Sequence, residues 1–257
     1  MPLALVDIVV VSFNTRDLLT SCLHSIDRCT TEAHHVIVVD NASTDGTQAW
    51  LQTLQGSQLT VIFNAVNRGY AAACNQGIRA GSSPFILLAN SDIRMTAGWL
   101  APLLTCMEAD EQIAVVGPKL IDLRGRITGA GIVGTLTDHR PRGNHEVDGP
   151  AIFGEPEDCF SVCGAAYLIR RTNLETLGYF DERYFFYFEE TDYSQNARSR
   201  GYRVVYCPDS RIIHIGGRSD GDHVKLRGWF ETSRKLFLEK WTQGDDSCGE
   251  ETLPDDD

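Results

Sequence analysis

The chain has 257 residues, a length that suits one large α/β domain or two small ones. Hydrophobic residues make up 42% and charged residues 23%, which is ordinary for a soluble globular protein. The net charge of -12 argues against non-specific binding to nucleic acid or to an anionic membrane. Seven of these charges fall in residues 242–257, which have little apolar surface and are predicted to form an acidic disordered tail.

The eight cysteines are expected to be reduced core thiols. Cys159 and Cys163 lie four residues apart, but no second close pair completes a zinc site. Residues 1–11 are too short to span a bilayer and contain Asp7, so neither a signal peptide nor a transmembrane segment is predicted. We therefore expect a cytoplasmic protein, with peripheral contact to the inner face of the cell membrane left open.

The first half of the chain alternates strand and helix patterns. Apolar, β-branched runs predict strands at Asp7–Phe13, Val36–Asp40, Leu59–Phe63, Phe85–Ala89 and Ile113–Gly117. Helices are predicted at Thr15–Asp27, Tyr70–Ala80 and Thr96–Asp110, and a short helix is predicted to follow the turn 41–47 and to run to about Gln55. Strands that are apolar throughout favour a mainly parallel sheet with helices on both faces, in which ligands bind beyond the carboxyl ends of the strands.

The second half is less regular. Asp122–Cys159 is polar and rich in glycine, and it is predicted to be a mobile functional loop with short strands. The following segments are predicted as a strand at Gly164–Arg170, a turn region at Leu174–Asp181, a helix at Glu189–Arg200, strands at Arg203–Cys207 and Arg211–Ile215, and an amphipathic helix at His223–Trp241. No internal repeat or linker is found, so we expect one domain over residues 1–241.

Two polar clusters directly follow predicted strands. Asp40 can accept hydrogen bonds from the N–H groups of a ligand, or it can shape the turn together with Asp45. In the second cluster, Asn90 and Asp92 can face one Mg²⁺ or Mn²⁺ ion that holds a diphosphate, with Ser91 between them. The same three residues also suit a helix N-cap, so both interpretations stay open.

A third cluster places three carboxylates after four aromatic residues, Phe185–Phe188. Glu189, Glu190 and Asp192 form this acidic group. Apolar surroundings and neighbouring carboxylates raise the pKa of a carboxyl group, which suits a general base. The helix dipole also favours acids in a first turn, although it does not explain the aromatic residues before them.

Two single residues are weaker candidates. Arg68, in a turn, can meet a phosphate or remain solvated. His214 ends a strand, where it is either a metal ligand or a structural residue. No cysteine has the setting of an activated nucleophile, and no Gly-X-Gly-X-X-Gly pattern of a dehydrogenase follows the first strand.

In their order and spacing, these segments resemble the family 2 inverting glycosyltransferases with the GT-A fold, most closely the rhamnosyltransferase-like branch. The resemblance covers about Val6 to Trp241. It rests on seven blocks: VVVSFN (9–14), VIVVDNASTDGT (36–47), NRGYAAACNQGI (67–78), FILLANSDI (85–93), CGAAYLIRR (163–171), residues 177–217, and SRKLFLEKW (233–241).

The resemblance implies a Rossmann-like, mixed but mainly parallel sheet, with a nucleotide-binding half (about 1–118) and an acceptor and catalytic half (about 119–241). It also implies roles for single residues. Ser12, Phe13 and Asn14 would lie against the base and ribose, Asp40 would accept the base N3–H, and Asn67 and Arg68 would lie near the nucleotide and its diphosphate. Asn90, Ser91 and Asp92 would take the place of the Asp-X-Asp motif, with His214 at the metal. Gly164 and Ala165 would lie beside the donor sugar, and Glu190 would be the catalytic base, with Glu189 and Asp192 in the same motif.

The sequence departs from the family pattern at two positions. Asn90 replaces the first carboxylate of the metal motif, and Glu190 stands where Asp is usual. The family implies a divalent cation, Mg²⁺ or Mn²⁺, a UDP- or dTDP-sugar donor, and a glycan, lipid-linked or small-molecule acceptor, in cell-surface glycan, polysaccharide or glycoconjugate synthesis. The alternatives are a nucleotidyltransferase, although VSFNTRD lacks a Gly-rich phosphate loop, and a non-catalytic nucleotide-sugar binding module.

Overall fold

The computed structural model describes residues 4–54, 58–143, 145–149, 153–216 and 223–242. The strands are β1 (Val6–Ser12), β2 (His34–Asp40), β3 (Leu59–Phe63), β4 (Phe85–Asn90), β5 (Ile93–Met95), β6 (Ile113–Ile121), β7 (Ile127–Gly129), β8 (Ile132–Gly134), β9 (His139–Pro141), β10 (Glu157–Asp158), β11 (Ala166–Arg170) and β12 (Arg203–His214). The helices are α1 (Arg16–Cys29), α2 (Thr47–Leu51), α3 (Tyr70–Ala80), α4 (Leu100–Glu108), α5 (Leu174–Leu177), α6 (Glu189–Ser199) and α7 (His223–Thr242).

One mixed sheet organises the molecule, with the strand order β10-β12-β6-β11-β4-β1-β2-β3. Strands β4, β1, β2 and β3 are parallel to one another, as predicted for the first half of the chain. Strand β11 lies between β4 and β6 and is antiparallel to both. The α/β class and mixed sheet are therefore confirmed, and β11 joins the two halves of the sheet.

Helices cover both faces of the sheet, which confirms that part of the prediction. Successive side chains of a strand point to opposite faces. Ile8 and Val10 of β1 pack in a core that includes residues of α1 and α4, whereas Val9 and Val11 pack in a second core with α3 and α6. Helix α3 approaches the sheet closely, because a Cβ atom on Gly77 would lie only 2.2 Å from Val9 Cγ1.

Several predicted bounds were wrong where long-range pairing decides the structure. The two strands predicted after Arg203 form the single strand β12, which contains a register shift between Cys207 and Arg211. Strand β5, which pairs with β12, was not predicted. Helix α4 was predicted to begin at Thr96, directly after β5, but it begins at Leu100. The predicted turn region 174–181 contains the short helix α5.

The remaining general predictions concern the loop, the cysteines and membrane spans. Segment 122–159 contains the short strands β7 to β10, as predicted. The cysteines within the described ranges are free thiols, and Cys248 lies outside those ranges. In the part of the chain that the structure describes, no helix is long and apolar enough to cross a membrane. Residues 243–257, most of the predicted acidic tail, also lie outside it.

A buried ion pair explains the one carboxylate in strand β1. Asp7 is 1% exposed, and its Oδ2 accepts hydrogen bonds from Arg171 Nη2 at 2.7 Å and from the Ser83 backbone N–H at 2.8 Å. Arg171 also donates to the backbone carbonyls of Ser83 and Ile78. The pair therefore joins β1 to the segment after β11, 164 positions along the chain.

We expect Asp7→Asn to lower the free energy of unfolding by about 3 kcal/mol, because it leaves the Arg171 guanidinium without its anionic partner. Urea denaturation followed by circular dichroism measures the change. Asp27→Asn, at an exposed position of α1, is the control and should stay within about 0.5 kcal/mol of the wild-type value. Equal losses in the two variants would contradict this account of Asp7.

Candidate active site

The carboxyl ends of β1, β2 and β4 open into a cleft that polar and aromatic side chains line. One side of the cleft is polar and the other is aromatic. The polar side is lined by Asn41, Asn67, Asn90, Ser91 and Asp92. The aromatic side is lined by Phe185, Phe186 and Trp229, with Leu226 beside them. The cleft lies where the strand order predicted a ligand site.

Asp40 is a fully buried carboxylate at the end of β2. Its Oδ2 accepts hydrogen bonds from the Ser43 backbone N–H at 3.0 Å and from Gln48 Nε2 at 2.7 Å, so it does shape the following turn. Its Oδ1 is buried and has no hydrogen-bond partner within the described residues. A buried oxygen without a donor is costly, so this atom is suited to accept a ligand N–H.

Hydrogen bonds between loops link Ser12 and Asn14 to the segments around the cleft. Asn14 has a positive φ of 53°, and its Oδ1 accepts a hydrogen bond from the Thr44 backbone N–H at 2.7 Å. Ser12 and Ser91 are linked through the Thr15 hydroxyl at 3.0 and 2.8 Å. These contacts join the ends of β1, β2 and β4, and Phe13 lines the cleft beside them.

Asn41 organises the loop of Asn67 and Arg68, and the sequence analysis did not select it. Asn41 Nδ2 donates to Asn67 Oδ1 at 2.8 Å, and Asn41 Oδ1 accepts from the Arg68 backbone N–H at 3.0 Å. An asparagine after a strand equally indicates an ordinary turn, so its pattern gave no separate signal. The Arg68 side chain is exposed.

The two predicted metal ligands lie next to each other. Asp92 Oδ2 is 3.5 Å from His214 Nε2, and Asp92 Oδ1 is buried with no hydrogen-bond partner among the residues described. The unpredicted strand β5 causes this proximity, because its Ile93 pairs with His214 of β12. The sequence therefore identified both residues but not the pairing that brings them together.

A carboxylate and an imidazole are suitable donors for Mn²⁺ or Mg²⁺. Within the described ranges, no group of three or more His, Cys, Asp or Glu side chains could hold a metal ion. Asn90 accounts for part of this, since it places an amide where the family motif has a carboxylate. The residues present fit a cation that takes its other ligands from phosphate oxygens and water.

Glu189 and Glu190 begin helix α6 after two residues with left-handed backbone, Tyr187 and Phe188, each with a φ of 69°. Burial raises the pKa of the Glu189 carboxyl well above its usual value, and the charge of Glu190 raises it further. Burial also raises the pKa of Glu190, although backbone N–H groups oppose the change. Both directions agree with the expectation from the aromatic residues.

Gly164 and Ala165 connect Glu190 with the polar side of the cleft. A Cβ atom on Gly164 would lie 3.3 Å from Glu190 Cγ, and the Ala165 carbonyl accepts a hydrogen bond from the Asn90 backbone N–H at 3.0 Å. Burial, followed by the charges of Glu190, Asp92 and Glu189, raises the pKa of the Cys163 thiol to about 12. The contacts of Gly164 and Ala165 therefore link the candidate base Glu190 to the segment that carries the candidate metal ligand Asp92.

Asp192 has a different environment from the other acids of its cluster. Its Oδ1 accepts hydrogen bonds from Trp241 Nε1 at 2.8 Å and Tyr184 Oη at 3.1 Å, and its Oδ2 accepts one from Lys240 Nζ at 2.7 Å. Both oxygens are therefore occupied. These contacts favour a structural role for Asp192, in which it holds α7 against α6. The sequence had placed Asp192 among the catalytic residues.

Comparison with known proteins gives consistent results. The family model described as Glycosyl transferase family 2 matches residues 7–167. An N-acetylglucosaminyl-diphospho-decaprenol L-rhamnosyltransferase of Mycobacterium tuberculosis is 26% identical over 238 residues, which cover 83% of this chain and 77% of that protein.

Two solved structures share the fold. The crystal structure of GalNAc-T7 with UDP, GalNAc and Mn²⁺ has a TM-score of 0.72 at 18% identity, and the match covers 94% of this chain and 50% of that chain. A mannosyltransferase from Pyrobaculum calidifontis in complex with GDP-Man and Mn²⁺ has a TM-score of 0.67 at 19% identity, with coverage of 94% and 65%. These likenesses show the GT-A fold, and this chain spans half the length of the first structure.

The raised pKa of Glu189 leads to a prediction about stability. The pKa of a glutamate carboxyl in the unfolded chain is about 4.3. When the folded state raises this pKa, the free energy of unfolding falls as pH rises above about 4.3. The total loss is about 1.4 kcal/mol for each unit by which the folded pKa exceeds the unfolded pKa. We expect Glu189→Gln to unfold like the wild type below about pH 4. Its stability advantage should then grow as pH rises and level off above the folded pKa.

Urea denaturation between pH 4 and 8 measures this difference. Glu175→Gln, at an exposed position of α5, is the control, and its stability should follow that of the wild type throughout. A difference between Glu189→Gln and wild type that does not change with pH would contradict the raised pKa.

Proposed function

This chain belongs to glycosyl transferase family 2, and on that basis we propose that it moves a sugar from a UDP- or dTDP-sugar to an acceptor hydroxyl, with inversion at the anomeric carbon. The observation that carries this proposal is the arrangement of Glu190 and Asp92 near the carboxyl end of β4. Glu190 borders Gly164, and the next residue, Ala165, accepts a hydrogen bond from Asn90, two residues before Asp92. One carboxylate is suited to take a proton and the other to hold a cation.

In this proposal, the free Oδ1 of Asp40 accepts the N3–H of uracil or thymine. Ser12, Phe13 and Asn14 lie against the base and ribose, and Asn67 lines the cleft near the diphosphate. The hydrogen bonds of Asn41 hold the Arg68 backbone, so that the exposed guanidinium can pair with a phosphate oxygen. Similarity to an L-rhamnosyltransferase supports a hexose or deoxyhexose as the transferred sugar.

Asp92 and His214 would hold the divalent cation. When bound, the cation supplies positive charge that offsets the charge on the departing nucleoside diphosphate. Asn90 contributes no charge, so Asp92 is the main protein anion at this position. The structural neighbours with bound Mn²⁺ support manganese as a suitable ion, and Mg²⁺ prefers the same oxygen donors.

Glu190 takes the proton from the acceptor hydroxyl as the oxygen attacks the anomeric carbon. The C–O bond to the diphosphate breaks on the opposite side, and one displacement inverts the configuration. The raised pKa of Glu190 makes it a stronger base than an ordinary carboxylate. Gly164 has no side chain, and this lets Glu190 lie close to its backbone.

The similarity to an enzyme named for a decaprenyl-diphosphate substrate supports a lipid-linked acceptor and a role in cell-surface glycan synthesis. Such an acceptor would bring the protein to the cytoplasmic face of the membrane as a peripheral protein. We further propose that residues 1–241 form one domain, in which residues 1–118 bind the nucleotide and residues 119–241 bind the acceptor.

We expect Glu190→Gln to lower sugar transfer at least about 100-fold, because the amide cannot take the acceptor proton. Nucleotide affinity should stay within about twofold of wild type, since Gln keeps the size of the side chain. Nucleoside diphosphate release measures transfer, with donor and acceptor first chosen from panels of UDP- and dTDP-sugars, glycosides and lipid-linked saccharides. Calorimetry with UDP and dTDP measures binding.

Glu175→Gln serves as the control for this experiment and should keep full activity. Full activity in Glu190→Gln would exclude it as the base. A wild-type protein that binds the nucleotide but transfers no sugar from any donor would instead support a binding module.

We expect Mn²⁺ to be required for tight nucleotide binding. In Mn²⁺, UDP or dTDP at 100 times its Kd should stabilise the protein by about 2.7 kcal/mol, and EDTA should remove most of the resulting increase in Tm. Asp92→Asn should lose the Mn²⁺-dependent part of the increase, while the exposed control Asp27→Asn keeps it. An equal increase in EDTA would show that this chain holds its nucleotide without a metal.

A further inference from the structure

Four amide side chains form a hydrogen-bonded group behind the polar side of the cleft, which we call the amide network. Its members come from separate parts of the chain: Gln76 from α3, Asn64 from directly after β3, Asn41 from directly after β2, and Asn67 from the loop before α3. Gln76 and Asn64 do not line the cleft, and neither has a role in the site described above.

The outer part of the network is a reciprocal pair of amides. Gln76 Nε2 donates to Asn64 Oδ1 at 2.8 Å, and Asn64 Nδ2 donates to Gln76 Oε1, also at 2.8 Å. Asn64 Nδ2 also donates to Asn41 Oδ1 at 3.0 Å. A reversed Asn64 amide would set its oxygen against the oxygens of both neighbours, so the pairing with Gln76 fixes the direction in which Asn64 donates.

Asn41 connects this pair to loop 67–69. Its Oδ1 accepts a second hydrogen bond, from the Arg68 backbone N–H at 3.0 Å, and its Nδ2 donates to the Gly69 carbonyl at 3.1 Å. The Gly69 backbone N–H donates to Asn67 Oδ1 at 2.9 Å. The backbone N–H groups of Arg68 and Gly69 are therefore occupied, and the Arg68 guanidinium is left as the cationic group of this loop that suits a phosphate.

We propose that Gln76 is a positioning residue for the proposed diphosphate site. Through Asn64 and Asn41 it holds the Arg68 backbone in the one conformation from which the guanidinium meets a phosphate oxygen. This inference rests on the proposed function for the identity of the ligand, a nucleoside diphosphate. It extends the groups that determine phosphate affinity to two residues outside the cleft.

The exposure of Arg68 explains why its backbone has to be held. Within the described residues, no hydrogen bond or ion pair fixes the Arg68 side chain, so its position depends on the loop that carries it. A ligand that binds one conformer of a loop loses affinity in proportion to the fraction of molecules in that conformer. Loss of the amide network would add conformers in which the guanidinium lies away from the phosphate.

Gln76→Met tests the proposal. Methionine keeps the length of the side chain and its preference for a helix, but it cannot donate to Asn64 Oδ1. Gln76 is half-buried on the surface of α3, so the variant can fold without rearranging the core. Gln52→Met, at an exposed position directly after α2, is the matched control.

Hydrogen exchange followed by NMR measures the order of the loop without any ligand. The backbone amides of Arg68 and Gly69 should exchange at least about fivefold faster in Gln76→Met than in the wild type, because their acceptors are less well held. Amides of α1 should exchange as before, which shows that the change is local. Gln52→Met should match the wild type at every amide.

Calorimetry in Mn²⁺ measures the consequence for binding. Gln76→Met should raise the Kd of UDP at least about fivefold, while the Kd of uridine, which has no phosphate, stays within about twofold. The UDP affinity of the variant should also depend less on salt, since salt screens the contact between Arg68 and phosphate. In an Arg68→Ala background, Gln76→Met should change the Kd of UDP no further. If the chain prefers thymine, dTDP and thymidine replace UDP and uridine.

Three results would overturn the proposal. These are unchanged exchange of the Arg68 and Gly69 amides in Gln76→Met, equal UDP affinity in Gln76→Met and wild type, or an equal loss of affinity for UDP and uridine. Failure of the proposed function has a different signature, because the wild type would then bind neither UDP nor dTDP in Mn²⁺. That result would also overturn the ligand assigned here, while hydrogen exchange would still decide whether Gln76 orders the loop.

Discussion

Four carboxylate oxygens are buried without a hydrogen-bond partner at one edge of the sheet, and the surrounding structure has to hold them there. They belong to Asp40, Asp92, Glu189 and Glu190, and they are four of the nine such side-chain atoms found within the described ranges. Each costs free energy in the free protein, since it has lost water and gained no donor. A ligand N–H, a cation or a proton that binds to such an oxygen would offset this cost.

Other buried acids in the same protein are fully paired, and they supply the rigidity that the site needs. Asp7 joins the first strand to Arg171, and Asp192 joins helix α6 to Lys240 and Trp241 at the end of α7. Strand β11 then connects the two halves, because Ala165 bonds to Asn90 just before the strand begins. The paired acids are structural and the unpaired ones form the proposed site, although all of them are carboxylates in a low-dielectric setting.

The sequence predicted what local patterns determine and missed what distant pairing determines. The bounds of β3 and α3 were predicted correctly, since a run of β-branched residues and a run of small residues define them locally. Strand β5 is only three residues long and exists through its pairing with β12, so no local pattern indicated it. The role of Asn41 and the occupied oxygens of Asp192 likewise depend on partners far along the chain. The predicted catalytic and binding roles remain predictions.

The burial that raises the pKa of Glu190, the proposed base, also affects how a diphosphate would enter the proposed site. Carboxylates close to a diphosphate repel it, and the repulsion is stronger in a cleft than in water. Because burial raises the pKa of Glu189 and Glu190, a larger fraction of each is protonated and neutral at a given pH. The repulsion is therefore reduced before any cation binds. In the proposed mechanism, a cation held by Asp92 would add positive charge beside the phosphates.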